Sequence, residues 1–227
     1  MTSYEQAESA LMDIDHFQAL VAAIPFEDIA APIPYWRQPS NPLENYSLAP
    51  IWGTSNRRGR RMQSMDLVGY NNRTVDGITI EYWETGLGKP YSFCHLNNRR
   101  GMVLTHDQND GRHGVAVTAA GIAPNSPQDA PARLVITQLQ GLVRNDKQPN
   151  LASALRSGFF WRDAFVRAWE SLAENIPSIG SIAIYSYTET GTPDELAEHF
   201  KKGYDDVADR QGYDFHEQSS LWIKNIR

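Results

Sequence analysis

The sequence predicts an α/β (α+β) protein built on a mixed sheet, and three observations lead to that prediction. An apolar run at residues 133–144 has no polar face, which is typical of a strand buried on both sides at the centre of a sheet. Short β-branched and aromatic runs fill residues 65–120, and helical and strand patterns alternate after residue 160. This order predicts an antiparallel meander followed by β-α-β-α-β, with a helical and Pro-rich extension at the N-terminus.

The composition narrows the class of protein. With 227 residues, of which 41% are hydrophobic, the chain can bury the core of one domain, or of one domain with an extension. A formal charge of −6 argues against wholesale binding to nucleic acid or to a membrane surface. Cys94 is the single cysteine, which excludes an internal disulfide framework and a cysteine-only metal site. We therefore expect a protein of a reducing compartment.

Membrane insertion and secretion are not expected. No apolar run approaches the roughly 18 to 20 residues that a membrane span needs. The acidic, polar start MTSYEQAESA lacks the basic and apolar regions of a secretory signal. These features predict a cytoplasmic protein that does not engage a membrane.

The N-terminal residues 3–24 carry apolar side chains at helical spacing, so they are predicted to be helical. Ser3 and Gln6 have the spacing of a capping box, which would place the start of the helix. Asp13 or Asp15 is expected to divide the segment into two helices.

A proline-rich segment follows, since six of the thirteen prolines fall between positions 25 and 50. Such a segment can be neither a long helix nor a central strand, so it is predicted to be an ordered, extended arm. We therefore divide the chain into an N-terminal helix and Pro-rich arm, residues 1–60, packed on a domain formed by residues 61–227.

The arm leads into a dense basic cluster that consists of Arg57, Arg58, Arg60 and Arg61. A loop exposed to solvent is one interpretation, because charge runs are usually solvated faces. The other is an anion site for a phosphate, a nucleotide tail or a nucleic-acid backbone, because guanidinium groups match phosphate oxygens. The sequence leaves both interpretations open.

The β-rich part of the chain is predicted to form the antiparallel meander, since Asn, Gly and Asp turns separate its short runs. The predicted strands are residues 66–70, 78–83, 91–96, 101–105 and 115–118. Residues 121–132 contain three prolines and are predicted to be a loop that leads into the central strand at 134–143.

Beyond the central strand, the sequence predicts a helix at residues 161–176, a strand at 181–187, a helix at 193–211 and an edge or hairpin strand at 215–226. The first helix has an apolar face formed by Trp161, Phe165, Ala168, Trp169, Leu172 and Ile176. Its charged side chains, including Asp163, are expected mostly on the opposite face.

The second of these helices has recognisable ends. Thr192-Pro193-Asp194-Glu195 is a capping box with proline at the first helical position, and Gly212 is the expected C-terminal cap. The predicted buried face consists of Leu196, Phe200, Tyr204 and Val207.

The order of these elements, together with the helix exit Ala208-Asp-Arg-Gln-Gly212-Tyr213, resembles the GCN5-related N-acetyltransferase (GNAT) fold. The resemblance covers about residues 65–226. It implies that acyl-coenzyme A binds where the central strand splays from its neighbour, with the pyrophosphate on backbone N–H groups at a helix N-terminus. It also implies transfer of the acyl group, from acetyl-CoA or another acyl-CoA, to a small-molecule or peptide amine.

The resemblance implies a set of cofactor-binding residues directly after the central strand. They are Gln140, Gly141, Leu142, Val143, Arg144 and Asn145. Gly141 permits a close approach of the backbone, and Arg144 supplies the charged partner of the phosphates.

Catalytic and substrate-binding residues are carried over in the same way. Tyr204 is the expected proton donor to the leaving thiolate, because Ala208 occupies the position of the family's tyrosine. Glu81 is the expected general base, acting through water, and a strand N–H near residues 138–141 is expected to polarise the thioester carbonyl. The predicted substrate-binding residues are Trp83 and His95.

No metal is expected. His95, His106 and His113 lie in the β half without the spacing of a recognisable ligand set. Cys94 and His95 are neighbours on a predicted strand and would point to opposite faces, which indicates a buried thiol rather than a nucleophile pair.

Two departures from the family pattern keep three functions open. The loop after Gly141 is longer and lacks the family's glycines, and Ala208 replaces the usual tyrosine. The first function is a GNAT-like acyltransferase using acyl-CoA or another donor. The second is a non-catalytic interaction protein on the same fold, in which the tryptophans form an interface. The third is an enzyme that modifies nucleotides or nucleic acids through the basic cluster. An oligomer is compatible with each.

Overall fold

Helices and two β-sheets are found among the residues that the structure, a computed structural model, describes. Those residues are 1–30, 45–52, 54–55, 78–79, 95–96, 100–108, 111–123, 130–141, 160–186 and 197–227. The helices are α1 (Ser3–Met12), α2 (Ile14–Ala22), α3 (Phe26–Ile29), α4 (Trp161–Glu174) and α5 (Ala197–Arg210). The strands are β1 (Tyr46–Trp52), β2 (Thr54–Ser55), β3 (Ile78–Thr79), β4 (His95–Leu96), β5 (Arg100–Gln108), β6 (Gly111–Ala123), β7 (Ala132–Gly141), β8 (Ile179–Tyr185), β9 (Asp214–His216) and β10 (Leu221–Asn225).

The main sheet has seven strands in the order β1-β5-β6-β7-β8-β10-β9. β1, β5, β6 and β7 are successive antiparallel neighbours, whereas β7 and β8 pair in parallel. In the chain, α4 lies between β7 and β8, and α5 lies between β8 and β9. The predicted fold class, an α+β mixed sheet with an antiparallel part followed by β-α-β-α-β, is therefore confirmed.

The strands that form the antiparallel part of the main sheet differ from those predicted. Only β3 and β4 are described from the predicted strands at 78–83 and 91–96, and β3 pairs with both β2 and β4 in a separate three-stranded sheet. The main sheet takes β1 as its first strand instead. A sequence pattern predicts a strand but not its sheet, because pairing is decided by packing against distant residues. The predicted strand at 66–70 lies outside the described residues.

The edge strand β1 lies within the end of the segment that was predicted to be an extended arm. Pro50 pairs with Met102 there, and an edge strand tolerates proline because one row of its N–H groups takes no part in the sheet. The hydroxyls of Ser47 and Thr105 lie 2.8 Å apart across this pair of strands. The proposed boundary after residue 60 lies outside the described residues.

The central strands begin slightly earlier than predicted. β7 starts at Ala132 and β8 at Ile179, and β6 continues to Ala123, which shortens the predicted loop at 121–132. The predicted C-terminal strand is a hairpin of β9 and β10, and β10 lies between β8 and β9. Ser220 in its turn has a φ of 51°, the left-handed conformation that turns require.

The N-terminal capping box is one residue earlier than predicted. Thr2, rather than Ser3, accepts a hydrogen bond from the Glu5 N–H, and the Glu5 carboxylate accepts one from the Thr2 N–H. A glutamate in the first turn also interacts favourably with the helix dipole, which the predicted Gln6 would not do. Asp13 divides the segment as predicted, because it ends α1 and caps α2.

Helix α1 is tied to the sheet by a buried arginine. The Arg100 guanidinium donates hydrogen bonds to the carbonyl oxygens of Leu11, at 2.6 Å, and of Met12, at 2.9 Å. Because a cation at a helix C-terminus satisfies unpaired carbonyls, Arg100 caps α1 from β5. Ala7 and Leu11 of α1 belong to the same hydrophobic core as the sheet.

One face of α4 supplies the centre of that core, as predicted. Its buried residues include Trp161, Phe165, Ala168, Trp169 and Leu172, and Ile176 is buried just beyond the helix. Tyr204 and Val207 of α5 join the same core. Asp163, expected on the solvent face, is buried instead, because its carboxylate accepts hydrogen bonds from Arg210 and Gln211.

The exit of α5 is a Schellman motif. Gly212 has a φ of 76°, its N–H donates to the Asp209 carbonyl, and the Tyr213 N–H donates to the Ala208 carbonyl. The glycine of the family-like exit is thus explained by backbone geometry. The predicted capping box at 192–195 and the side chain of Phe200 lie outside the described residues.

Candidate functional site

The candidate site is the place where β7 leaves β8. The two strands pair in parallel from Ala132 with Ile179 to Ile136 with Ile184. Beyond Ile136, β7 continues to pair with β6 from Gln138 to Gly141. A β-bulge lies at the same point, because Ile136 pairs with Ala120 and Gln138 with Ala119, which leaves Thr137 as the extra residue. The bulge bends β7 where it separates from β8.

Side-chain hydroxyls hold the bulge in place. Thr118 donates to the Gln138 carbonyl at 2.8 Å and accepts a hydrogen bond from the Trp169 indole at 3.0 Å. Thr137 donates to the Ala119 carbonyl at 3.3 Å. These contacts occupy backbone carbonyls that an irregular ladder leaves without regular strand partners. The bulge is therefore anchored both to β6 and to α4.

The bulge also changes which side chains face the helices. Leu134 and Ile136 alternate along β7 and belong to the main core. Leu139 belongs to the same core although its residue number is odd and those of Leu134 and Ile136 are even. The extra residue at the bulge shifts the alternation by one. Gln138 and Gln140 lie on the opposite face, where the side-chain amide nitrogen of Gln138 donates to the side-chain oxygen Oε1 of Gln140 at 2.7 Å.

The central contact of the site joins β7 to α5. The Leu139 N–H donates a hydrogen bond of 3.1 Å to the Tyr204 hydroxyl oxygen, and both residues are buried. Leu139 has no β8 partner here, so a side chain from α5 satisfies its N–H. A backbone N–H and a phenolic hydroxyl therefore meet at the opening between two parallel strands. This pair can polarise a carbonyl oxygen and supply a proton.

A charged cluster lies beside Tyr204 at the start of α4. Arg210 and Asp163 form a salt bridge of 3.0 Å, and the Gln211 amide donates to Asp163 at 2.7 Å. Burial lowers the pKa of the Arg162 guanidinium, while the nearby Tyr204 phenol acts in the opposite direction. The smaller effects on this pKa come from Arg210, which lowers it, and Asp163, which raises it.

The structure brings together three of the predicted site residues. Tyr204 reaches β7 from α5, and Gln140 and Gly141 are the last residues of β7. His95 belongs to β4 in the separate sheet, and nothing about its side chain is described. The remaining predicted site residues lie outside the described part of the chain: Glu81, Trp83, Leu142, Val143, Arg144 and Asn145, as do Arg57, Arg58, Arg60 and Arg61.

Two features of the site were not predicted from the sequence. The bulge at Thr137 has no signature in the sequence, since an apolar strand with one extra residue looks like an apolar strand. Arg162 was placed on a solvent face, although it lies against α5 at Gly203. The glycine directly before Tyr204 was the available signal, because a helical glycine can mark a close approach of another group.

Comparisons with known proteins assign no family to this chain. Neither the protein-family models nor the curated proteins contain a match to this chain. Among solved structures, a chain described as "The crystal structure of KacTA-DNA complex" is similar with 16% sequence identity and a TM-score of 0.34. The similarity covers 56% of this chain and 67% of that chain. So distant a likeness carries no argument about function.

The described residues contain neither a membrane-spanning helix nor a metal-binding cluster. None of their helices has the length and apolar character needed to cross a membrane. Their His, Cys, Asp and Glu side chains form no group of three or more that could hold a metal ion.

Proposed function

We propose that this chain is an acyltransferase of the GNAT-like kind, which transfers an acyl group from a thioester such as acetyl-CoA or another acyl-CoA to an amine. One observation carries the proposal. At the opening between β7 and β8, the Leu139 N–H meets the Tyr204 hydroxyl at 3.1 Å in a buried setting. Transfer from a thioester needs a hydrogen-bond donor for the carbonyl oxygen and an acid for the leaving sulfur, and this pair supplies both.

The two groups have separate roles in the proposed reaction. A bound acyl-CoA supplies the thioester carbonyl that the amine attacks. The Leu139 N–H stabilises the negative charge that develops on the carbonyl oxygen, and Tyr204 gives its proton to the departing sulfur. Because the Tyr204 oxygen accepts the Leu139 N–H in this structure, the hydroxyl must release that N–H when a carbonyl binds. The exchange leaves the hydroxyl beside the sulfur.

The remaining roles rest on the sequence. Glu81 accepts the proton of the amine through water, and Trp83 and His95 contact the acceptor. The phosphates of the donor meet backbone N–H groups at residues 140–145, with Arg144 as the charged partner. Gln140 and Gly141 stand at the end of β7, next to the strand separation, which supports a donor site there. The alternative is an interaction protein that keeps this fold without the chemistry.

Acetyl transfer can be tested with defined probes. Purified protein is mixed with acetyl-CoA and a panel of amines, namely spermidine, a lysine-containing peptide and a peptide with a free N-terminus, and thiol release and acetylated products are measured. We expect transfer to at least one amine, with Tyr204→Phe lowering the rate by about 10² to 10⁴-fold. Tyr185→Phe, on the partly exposed end of β8, is the matched control.

The opposite results are equally clear. Transfer that Tyr204→Phe leaves unchanged would remove Tyr204 from the mechanism. Absence of both acetyl-CoA binding, measured by calorimetry, and of transfer would favour the interaction protein. A dissociation constant in the micromolar range, about −8 kcal/mol, weakened tenfold by Arg144→Ala would support the donor site.

A further inference from the structure

The Arg162 side chain is held against the helix that carries Tyr204. A Cβ added to Gly203 would lie 3.5 Å from Arg162 Nε and 3.7 Å from its Cζ, so the guanidinium lies over the backbone directly before Tyr204. Its Cζ is also 4.3 Å from the centre of the Trp161 ring. The guanidinium is thus confined between the Trp161 ring and Gly203, the residue before Tyr204, which fixes its position over α5.

The charge of Arg162 is less compensated than that of its neighbours. Asp163, the adjacent carboxylate, is already bonded to Arg210 and Gln211. The buried Nε of Arg162 has no hydrogen-bond partner among the described residues. Tyr204 makes the largest favourable electrostatic contribution to the Arg162 guanidinium, ahead of Asp163, and the attraction between two groups acts equally on both. The group that gains from it is the Tyr204 phenol.

We propose that Arg162 is a positioning residue that stabilises the phenolate form of Tyr204 and so strengthens Tyr204 as the proton donor of the reaction. The catalytic part of this inference rests on the proposed acyl transfer, whereas the coupling between the two side chains does not. When the carbon–sulfur bond of the thioester breaks, its electron pair goes to sulfur and the Tyr204 proton forms the thiol. The phenolate remains next to Arg162 and regains a proton from water.

Other groups around Tyr204 act on the same equilibrium. The Leu139 N–H on β7 donates to the Tyr204 oxygen and also favours the phenolate. Asp163 and Arg210 carry opposite charges at 3.0 Å, so their effects on Tyr204 largely offset each other. Asp205 follows Tyr204 in α5 and accepts a hydrogen bond from the Trp222 indole on β10.

The coupling can be measured without any reaction. Protein labelled with ¹³C at the tyrosine Cζ is titrated with base and followed by NMR, and Tyr204→Phe assigns the Tyr204 signal. We expect Arg162→Gln to raise the pKa of Tyr204 by about one unit or more. Arg162→Lys, which keeps the cation, should retain most of the wild-type value. Arg167→Gln removes a charge from the same helix, where Arg167 bonds to Gln211 and Ile29, and should change nothing at Tyr204.

Equal Tyr204 titration in wild type and Arg162→Gln, including no titration in either before unfolding, would overturn the inference. If Arg162→Gln does not fold, Arg162→Met keeps the length and the Trp161 contact and serves in its place. A shifted titration without acetyl transfer would refute the proposed function and leave the coupling standing. Acetyl transfer with an unshifted titration would refute the coupling and leave the proposed function standing. With both present, the alkaline limb of the pH–rate profile should move with the measured pKa.

Discussion

The two halves of β7 are made of similar residues but are held by different interactions. From Arg133 to Ile136, the strand is paired on both sides, with β6 and with β8, and Leu134 and Ile136 are fully buried. From Gln138 to Gly141, its only strand partner among the described residues is β6, and the Leu139 N–H on the other edge donates to the Tyr204 hydroxyl. The first half builds the sheet, whereas the second presents a backbone donor at an opening.

This difference explains why the site can exist in an apolar strand. A backbone N–H that a neighbouring strand accepts is unavailable to a ligand, and separation of the strands releases it. The bulge at Thr137 produces that separation while keeping Leu139 in the core. Substitutions in the first half should therefore change stability, and changes around the second half should act more weakly on stability and more strongly on function.

The largest stability effect is expected in the paired half. Leu134→Ala removes a side chain with no solvent exposure and should lower the free energy of unfolding by about 2 to 5 kcal/mol. Urea unfolding followed by fluorescence measures the loss. Lys202→Ala is the control, because the Lys202 side chain is 71% exposed and its ion pair with Glu198 lies on the surface, so we expect less than about 0.5 kcal/mol. Similar values for both variants would contradict the assignment of the paired half.

A smaller effect is expected at the start of that half. A Cβ on Gly180 of β8 would lie 2.5 Å from Pro131 Cβ, so Gly180→Ala must displace the chain that leads into β7. We expect a loss of about 1 to 3 kcal/mol from this overpacking. At Gly203 the nearest atom is the Arg162 side chain at 3.5 Å, so Gly203→Ala should be neutral or, by its helix propensity, slightly stabilising. If thermal unfolding gives the same stability for Gly180→Ala and Gly203→Ala, Pro131 moves aside without a cost in free energy.

At the second half of β7, Tyr204→Phe should lower the free energy of unfolding by about 1 to 2 kcal/mol. The substitution leaves the buried Leu139 N–H without its hydroxyl acceptor. Hydrogen exchange localises the effect. The Leu139 amide should exchange faster in the variant, while the Val135 amide, in the paired half, should change only with the global stability. A uniform change at both amides would show that the two halves open together.

The smallest expected effect is a pH dependence of stability that comes from Tyr213, just beyond the C-terminal end of α5. Burial raises the pKa of Tyr213, with a further contribution from Glu170. Because the folded protein holds this proton more tightly than the unfolded chain, the stability is present below the unfolded value of about 10 and is lost as the pH rises above it. At a pH one unit above that unfolded value, the free energy of unfolding of the wild type should have fallen by about 1.4 kcal/mol relative to that of Tyr213→Phe. Parallel unfolding curves for the two proteins from neutral to alkaline pH would contradict this.

Much of the fold could be predicted because it follows from local patterns. The apolar face of α4 and the parallel neighbours β7 and β8 have clear periodicity or length, and Gly212 marks a helix end by its backbone conformation. The membership of β3 and β4 in a second sheet could not be predicted, since it depends on contacts between distant segments. The N-terminal cap was displaced by one residue, which is a common error at helix ends.

The site was predictable in outline but not in detail. Tyr204 and a backbone N–H of residues 138–141 were expected from the family resemblance, and the structure brings Tyr204 to Leu139. The bulge that makes Leu139 available depends on the pairing register, which the sequence does not encode locally. Arg162 was expected on the solvent face with the other charged side chains of α4, whereas in the folded protein it lies against Gly203 of α5.

The most direct test of the proposed function is the behaviour of the Leu139 amide when acetyl-CoA is added. In ¹⁵N-labelled protein, the account predicts a large change in the Leu139 N–H resonance with acetyl-CoA, because the thioester carbonyl replaces the Tyr204 oxygen. Coenzyme A without the acyl group should bind and leave this resonance nearly unchanged, and the Val135 amide should not move with either. No change at Leu139 with saturating acetyl-CoA, or the same change with coenzyme A alone, would contradict the account.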